Sequence, residues 1–143
     1  MLMGTYQNSI DGKNRISIPA KFRDELGGRC VLTRGLDDCL LLYPAVNWQQ
    51  EVARYSGLPR TDEKARAFIR YTFGNAYDVD VDKQGRTVVP QILKDFAGFD
   101  KEHVTIGMVD RVEIWSRENY ENSPYGGKLS AADLAGIGDK YQV

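Results

Sequence analysis

The stretch Tyr6–Gly27 reads YQNSIDGKNRISIPAKFRDELG, and a related stretch, YDVDVDKQGRTVVPQILKDFAG, begins 71 residues later at Tyr77. Both copies place an arginine four residues after an aspartate and a proline four residues after that arginine. The matched pairs are Tyr6 and Tyr77, Asp11 and Asp82, Arg15 and Arg86, Ile18 and Val89, Pro19 and Pro90, and Gly27 and Gly98. Such internal similarity predicts two copies of one structural unit.

Each unit begins with a pattern typical of β-structure. Tyr77, Val79 and Val81 alternate with acidic residues, which predicts a strand. The following DGKNR and DKQGR segments carry Gly or Asn where positive φ is needed, so the aspartate and arginine are expected to bracket a hairpin. The conserved spacing of proline and glycine within the two copies then predicts a short helix in each.

Two more strands complete each unit. They are predicted over Val31 to Arg34 and Leu40 to Tyr43, and over Val104 to Met108 and Val112 to Trp115. Between the units, residues 44–73 show helical spacing interrupted at Gly57 to Pro59, which predicts two helices. The predicted organisation is a first unit over 1–49, linking helices over 50–73, a second unit over 74–123 and a mobile tail over 124–143. Within that tail, Ser130 and Asp133 have the spacing of a weak capping box.

The length and composition indicate which classes of protein this chain can belong to. A chain of 143 residues with 42% hydrophobic and 27% charged residues is typical of one globular domain or two small ones. No apolar run approaches the roughly 20 residues that span a bilayer, and no secretory signal is visible, so we expect a cytoplasmic protein without a membrane partner. Cys30, Cys39 and the single His103 are too few for a structural zinc site, so free thiols and no cofactor are expected.

The net charge of −1 hides an asymmetry between the two halves of the chain. Residues 1–73 carry 11 basic and 8 acidic residues, a net +3, whereas residues 74–143 carry 8 and 12, a net −4. Ordinary nucleic-acid-binding domains have a pI above about 9, so the whole chain departs from that class. If the protein binds an anion such as phosphate, the first half is electrostatically favoured.

The two repeats resemble the MraZ family. The resemblance is carried by SIDGKNRISIPAKFRDELGG, LTRGLDDCLLLYP, the ARAF segment at Ala65 to Phe68, and VDKQGRTVVPQILKDFAG followed by RVEIW. It implies a mainly β fold with short helices, in which two tandem AbrB/MazE-like swapped-hairpin units form a pseudobarrel. It also implies a cytoplasmic, nucleoid-associated transcriptional regulator of the bacterial division and cell-wall gene cluster. The family assembles into rings and binds short direct repeats upstream of that cluster.

The resemblance and the residue chemistry together predict a set of DNA-binding residues. An arginine fork donates two parallel hydrogen bonds to a phosphate or a guanine, and Arg15 stands at the end of the first turn. The first repeat is favoured as the contact surface because Gln84 replaces Lys13 in the second, where Asp78 and Asp80 add negative charge. The predicted set is Arg15, Lys13, Asp11, Lys21, Arg23 and Arg86.

The same residues also have expected structural roles. Asp11 and Asp82 are expected to accept backbone N–H groups in their turns and to pair with the following arginines. Arg86 is assigned mainly to structure or subunit packing, and its contact with DNA is left open. His103 is expected to be solvated or to act as a cap.

Two further function classes remain open. One is an oligomeric protein-interaction or antitoxin-like scaffold, which would assemble without salt-dependent DNA binding. The other is an enzyme, which ranks lower because the sequence contains no metal cluster, phosphate-cradling glycine loop or activated nucleophile.

Overall fold

The computed structural model describes residues 1–124 and 128–143. The strands are β1 (Leu2–Ser9), β2 (Arg15–Ser17), β3 (Arg29–Arg34), β4 (Leu40–Pro44), β5 (Tyr77–Asp80), β6 (Arg86–Val88), β7 (Glu102–Val109) and β8 (Val112–Ser116). The helices are α1 (Ala20–Leu26), α2 (Ala45–Ser56), α3 (Glu63–Gly74), α4 (Gln91–Ala97), α5 (Arg117–Asn122) and α6 (Ala131–Lys140). The predicted order of strand, strand, helix, strand, strand is confirmed in both repeats.

The repeats are interleaved in one antiparallel sheet. Its strand order is β1-β7-β8-β4-β3-β5, while β2 and β6 form a separate two-stranded ribbon. The counterparts in the two repeats are β1 and β5, β3 and β7, and β4 and β8. When each strand is exchanged for its counterpart, the same order results, read from the opposite edge of the sheet. The two repeats are therefore related by a pseudo-twofold axis. The first strand of each repeat pairs with the third strand of the other, as β1 with β7 and β5 with β3. Neither repeat therefore completes its sheet alone.

Two expectations about the β-structure need correction. The turns between Asp11 and Arg15 and between Asp82 and Arg86 form, but the strands on either side separate instead of pairing as hairpins. In the first repeat only one bridge joins them, between Ile10 and Ile16. The large sheet in the described part of the chain is also open, with β1 and β5 at its edges, so it is not the closed pseudobarrel that was expected.

The core lies between the sheet and the ribbon with its two flanking helices. Ile16 and Ile18 from the first repeat and Val89 and Leu93 from the second are at most 1% exposed and belong to one apolar cluster. Apolar burial of this kind contributes about 1.5–3 kcal/mol for each large aliphatic side chain. The ribbon is thus held against the sheet from its inner face.

The short helices begin and end where proline and glycine predict. Helix α1 follows Pro19 and ends at Gly27, which has φ 72°. Helix α4 follows Pro90 and ends at Gly98, which has φ 68°. A side chain with a Cβ is disfavoured at such angles, so glycine allows the chain to turn directly into the next strand.

The linking segment forms the two predicted helices, which pack through aromatic rings. The ring centroids of Trp48 and Phe73 lie 5.7 Å apart, and Tyr55 lies 5.4 Å from Phe68 and 5.5 Å from Phe73. Helix α3 is capped by Asp62, whose side chain accepts hydrogen bonds from two backbone N–H groups. These ring contacts hold α2 and α3 together.

The tail contains a helix, α6, whose capping box between Ser130 and Asp133 is confirmed. Its predicted mobility stays a prediction, and residues 125–127 within the tail lie outside the described residues. The predicted domain boundaries likewise stay predictions.

Candidate nucleic-acid interface

The first turn is organised by the carboxylate of Asp11. One carboxylate oxygen accepts hydrogen bonds from the backbone N–H groups of Lys13 at 2.9 Å and Arg15 at 3.0 Å. The other accepts one from Arg15 Nε at 2.8 Å. Asn14 adopts φ 60°, a left-handed conformation that asparagine tolerates better than most residues. The predicted structural role of the aspartate is confirmed.

The second turn repeats this geometry. Asp82 accepts hydrogen bonds from the backbone N–H groups of Gln84 and Arg86, both at 2.9 Å. Gly85 takes the position of Asn14 and has φ 76°. The same turn is therefore built from two different left-handed residues.

Ribbon register places the two arginines on one surface. Arg15 lies opposite Val88 and Ser17 lies opposite Arg86, while Ile16 and Thr87 between them face the core. Because side chains alternate along a strand, Arg15 and Arg86 both lie on the outer face, as diagonal neighbours. The repeat motifs are thus combined into one site by the tertiary structure.

The outer face carries a charge cluster made by both repeats. Arg86 Nη1 lies 3.8 Å from the Asp11 carboxylate of the other repeat, and Arg86 Nε lies 3.8 Å from Asp82. Arg86 also donates a hydrogen bond to the Gln84 side chain. Arg15 has a single hydrogen bond from its guanidinium among the described residues, to Asp11, which leaves both η nitrogens for other acceptors. Arg15 is the less engaged of the two arginines.

Both aspartates are held ionised by their turns. The backbone N–H of Arg15 is the main cause that lowers the pKa of Asp11, and that of Arg86 lowers the pKa of Asp82 in the same way. The nearby guanidinium groups act in the same direction. At neutral pH the two turns keep fixed negative groups that orient the arginines.

Each short helix reaches over the turn of the other repeat. Arg23 Nε donates to the Ile18 carbonyl at 2.9 Å, and its guanidinium lies so close to Gly85 that an added Cβ there would be 2.0 Å from Arg23 Cζ. In the mirrored position, Lys94 Nζ donates to the Asn14 side-chain oxygen at 2.7 Å. These contacts bring basic side chains from each repeat onto the turn of the other.

The structure brings most of the predicted set together. Asp11, Lys13 and Arg15 share the first turn, Arg86 lies beside them, and Arg23 covers the second turn. Lys21 is exposed on α1. Whether these six residues contact DNA stays a prediction.

Sequence reasoning missed two basic residues, Lys83 in the second turn and Lys94 on α4. Segment 11–15 has one acidic and two basic residues, and segment 82–86 has the same, so each turn carries a net +1. Counting the repeats residue by residue would have identified both lysines. The second turn is therefore less acidic than its upstream strand suggested.

Asp80, which was expected to add negative charge near the second turn, and Arg34 of β3 make contacts of other kinds. Asp80 on β5 lies opposite Arg29 of β3, with 4.0 Å between their charged atoms. The Arg34 guanidinium lies 4.4 Å from the centre of the Phe96 ring. Arg34 therefore contributes a cation–π contact to packing.

His103 is not solvated, contrary to expectation. It is 1% exposed and lies beside the backbone of Ser17 in the ribbon. Burial lowers the pKa of His103, so the neutral ring is favoured. The sequence could not reveal this because the residue's neighbours come from both repeats.

The cysteines are buried free thiols, as expected. Burial raises the pKa of Cys30 to about 11 and raises that of Cys39 further, which makes both thiols unreactive at neutral pH. Over residues 1–124 and 128–143, no group of three His, Cys, Asp or Glu side chains is arranged to hold a metal ion. In the same part of the chain, no helix combines the length and apolar character needed to cross a membrane.

The fold is that of a two-repeat protein. Its repeats are interleaved, and they bring two arginine-containing turns together on one β-ribbon. Comparison with known families assigns the chain within that class. The model of the family described as "MraZ protein, putative antitoxin-like" matches residues 1–71 and again residues 72–133. The chain belongs to the MraZ family, which confirms the predicted resemblance.

Curated relatives agree along most of the chain. A protein of Clostridium acetobutylicum is 48% identical over 140 residues, covering 98% of this chain and 96% of the relative. One from Clostridium beijerinckii is 48% identical over 120 residues, or 84% of each chain, and one from Acetivibrio thermocellus is 43% identical over 135 residues, or 94% of each. All three relatives are named transcriptional regulator MraZ.

Proposed function

We propose that this chain is a non-enzymatic transcriptional regulator that binds double-stranded DNA with the outer face of the β2–β6 ribbon. The observation that carries the proposal is the placement of Arg15 and Arg86 on one outward face. The names of the relatives support the regulator class. The major groove of B-DNA admits a two-stranded ribbon, so this face fits a known mode of base readout.

Arg15 is the principal DNA-contacting residue in this proposal. Its side chain is 25% exposed, and the hydrogen bond from Nε to Asp11 fixes its direction while the η nitrogens stay available. A guanidinium held this way loses little conformational entropy when it binds a guanine edge or a phosphate. Lys13 is exposed on the same turn and Lys21 is exposed on α1, and in this proposal both contact the DNA backbone. Arg86 has more partners within the chain and positions Asp11.

A single ribbon offers too few contacts for tight binding. One bidentate arginine discriminates by about 1–3 kcal/mol, whereas a nanomolar complex requires about 12 kcal/mol. We therefore propose that several copies assemble as a ring and bind successive short direct repeats, which raises the effective concentration of each later contact. Assembly also explains how a chain of net charge −1 binds DNA, because the basic turns can face one side.

The proposed target is the promoter upstream of the chain's own gene, in the bacterial division and cell-wall gene cluster. Such a role requires a cytoplasmic protein associated with the nucleoid. A protein-interaction scaffold is the second candidate, and the antitoxin-like description of the family favours it. It predicts assembly without DNA binding.

Binding to the chain's own upstream DNA across a salt series tests the proposal. The wild-type protein is expected to bind with an affinity that falls steeply with salt, with a slope of about −0.9 for each phosphate neutralised. Arg15→Ala is expected to weaken each contact by about 1–3 kcal/mol, or roughly 5- to 150-fold. Arg60→Ala, an exposed arginine in the linking segment, makes the same charge change away from the ribbon and should have little effect.

Folding and assembly must be checked for every variant by circular dichroism and by mass in solution. Absence of binding by the wild-type protein at low salt would favour the scaffold. If Arg86→Ala abolishes binding while Arg15→Ala leaves it intact, the assignment of the first repeat as the contact surface is wrong.

A further inference from the structure

The outer face of the ribbon carries one apolar side chain. Val88 is 55% exposed and lies directly opposite Arg15. Its counterpart in the first repeat is Ser17, which lies opposite Arg86 on the same face. The ribbon therefore pairs each arginine with a different neighbour.

A ligand that contacts Arg15 from outside also covers Val88. Directly opposed residues in an antiparallel pair have Cβ atoms about 4.5–5.5 Å apart, so the two side chains share one small surface. A phosphate would complement the arginine but not the valine. In the major groove, thymine presents an apolar 5-methyl group next to hydrogen-bonding base edges. A base edge carrying that methyl group complements both side chains.

We propose that Val88 is a specificity-determining residue that packs against the 5-methyl group of a thymine while Arg15 contacts an adjacent base or phosphate. This inference rests on the proposed DNA binding. Because Ser17 at the matched position offers no comparable apolar surface, the two halves of the ribbon face differ. A ribbon that differs in this way binds DNA in one orientation, which suits direct repeats better than palindromes.

The test compares thymine with deoxyuridine, which lacks only the methyl group. Duplexes of the chain's own upstream DNA are prepared with thymidine throughout, with deoxyuridine throughout, and with single replacements. For the wild-type protein, replacement at the contacted thymine is expected to weaken binding to a single repeat about fourfold, the ratio that burial of one methyl group gives. Replacement at other thymines should change binding much less.

Val88→Ser copies the residue that the first repeat carries at this position. This variant should bind the thymidine duplex and the duplex with deoxyuridine at the contacted position equally well. Val88→Asn, which also removes the apolar surface, serves as a second variant if the serine form does not fold. Val46→Ser is the matched control, since Val46 is 73% exposed on α2 and away from the ribbon, and it should keep the fourfold difference.

The outcomes separate the two proposals. The role of Val88 is overturned, while DNA binding stands, if the wild-type protein binds the thymidine duplex and the duplex with deoxyuridine at the contacted position equally. It is also overturned if the Val88 variants still bind the thymidine duplex more tightly. No binding of the thymidine duplex at low salt overturns the proposed function and the role of Val88 with it. Loss of the methyl dependence in the Val88 variants alone supports the inference.

Discussion

Gly107→Ala tests whether the interleaving of the repeats depends on close strand contact. Gly107 lies in β7 of the second repeat, opposite Gly4 of β1 in the first. A Cβ added at Gly107 would lie 2.4 Å from Met3 N, 2.5 Å from Leu2 C and 2.7 Å from Leu2 O. Carbon contacts are normally about 3.5–4.0 Å, and all three atoms belong to backbone that cannot rotate away. We expect β1 to shift by about 1 Å from β7.

The cost of that shift can be worked from the contacts that it breaks. Two lost ladder hydrogen bonds contribute about 0.5–1.5 kcal/mol each. Leu2 is 1% exposed, and its withdrawal from the core costs about 1.5–3 kcal/mol. The free energy of unfolding should therefore fall by about 2.5–6 kcal/mol, a large part of the 5–15 kcal/mol typical of a domain.

Urea denaturation followed by tryptophan fluorescence and circular dichroism measures this loss. Gly28→Ala is the control, because its added Cβ meets nothing within 4 Å, and its effect should stay within about 1 kcal/mol. A loss below about 1 kcal/mol for Gly107→Ala would refute the reasoning, since it would mean that β1 is free to move without cost.

Three other predictions follow from the cross-repeat contacts. Burial lowers the pKa of His103 below its ordinary 6.5, so the stability that the neutral ring provides above pH 6.5 should be lost as the pH falls through the pKa of the folded state. His103→Gln should flatten this pH dependence of the free energy of unfolding in urea titrations. NMR of the single histidine gives its pKa directly. Gly85→Ala should cost about 1–2 kcal/mol in thermal unfolding, because φ 76° disfavours a Cβ, and should displace Arg23 from the turn. Asn47→Ala and Asn119→Ala should each cost about 1–3 kcal/mol by denaturant titration, with m-values unchanged, since the Asn47 amide donates to the Asp110 carbonyl of the other repeat at 2.6 Å and the Asn119 amide donates to the Asp38 carbonyl at 3.2 Å.

The sequence was sufficient for the local structure of each repeat. Alternation, turn residues and the proline-to-glycine spacing depend on neighbours within a few positions, and they predicted the strands, the short helices and the turn chemistry of Asp11. The same local reasoning predicted a hairpin at each turn and was wrong there. Strand pairing is decided by which partner buries more apolar surface, and the better partner for β2 lies 71 residues away, in β6.

In the candidate site, too, some features follow from local sequence and others only from strand pairing. Residue chemistry and the family resemblance indicated Arg15, but nothing local to it indicates that Val88 lies opposite or that Arg86 shares Asp11. Those neighbours follow from the antiparallel register of the ribbon. The sequence by itself determined the repeated unit, its turns and the family, because these depend on short-range pattern. Only the tertiary structure decided which residues form one surface, because interleaving two copies places each repeat's side chains among those of the other.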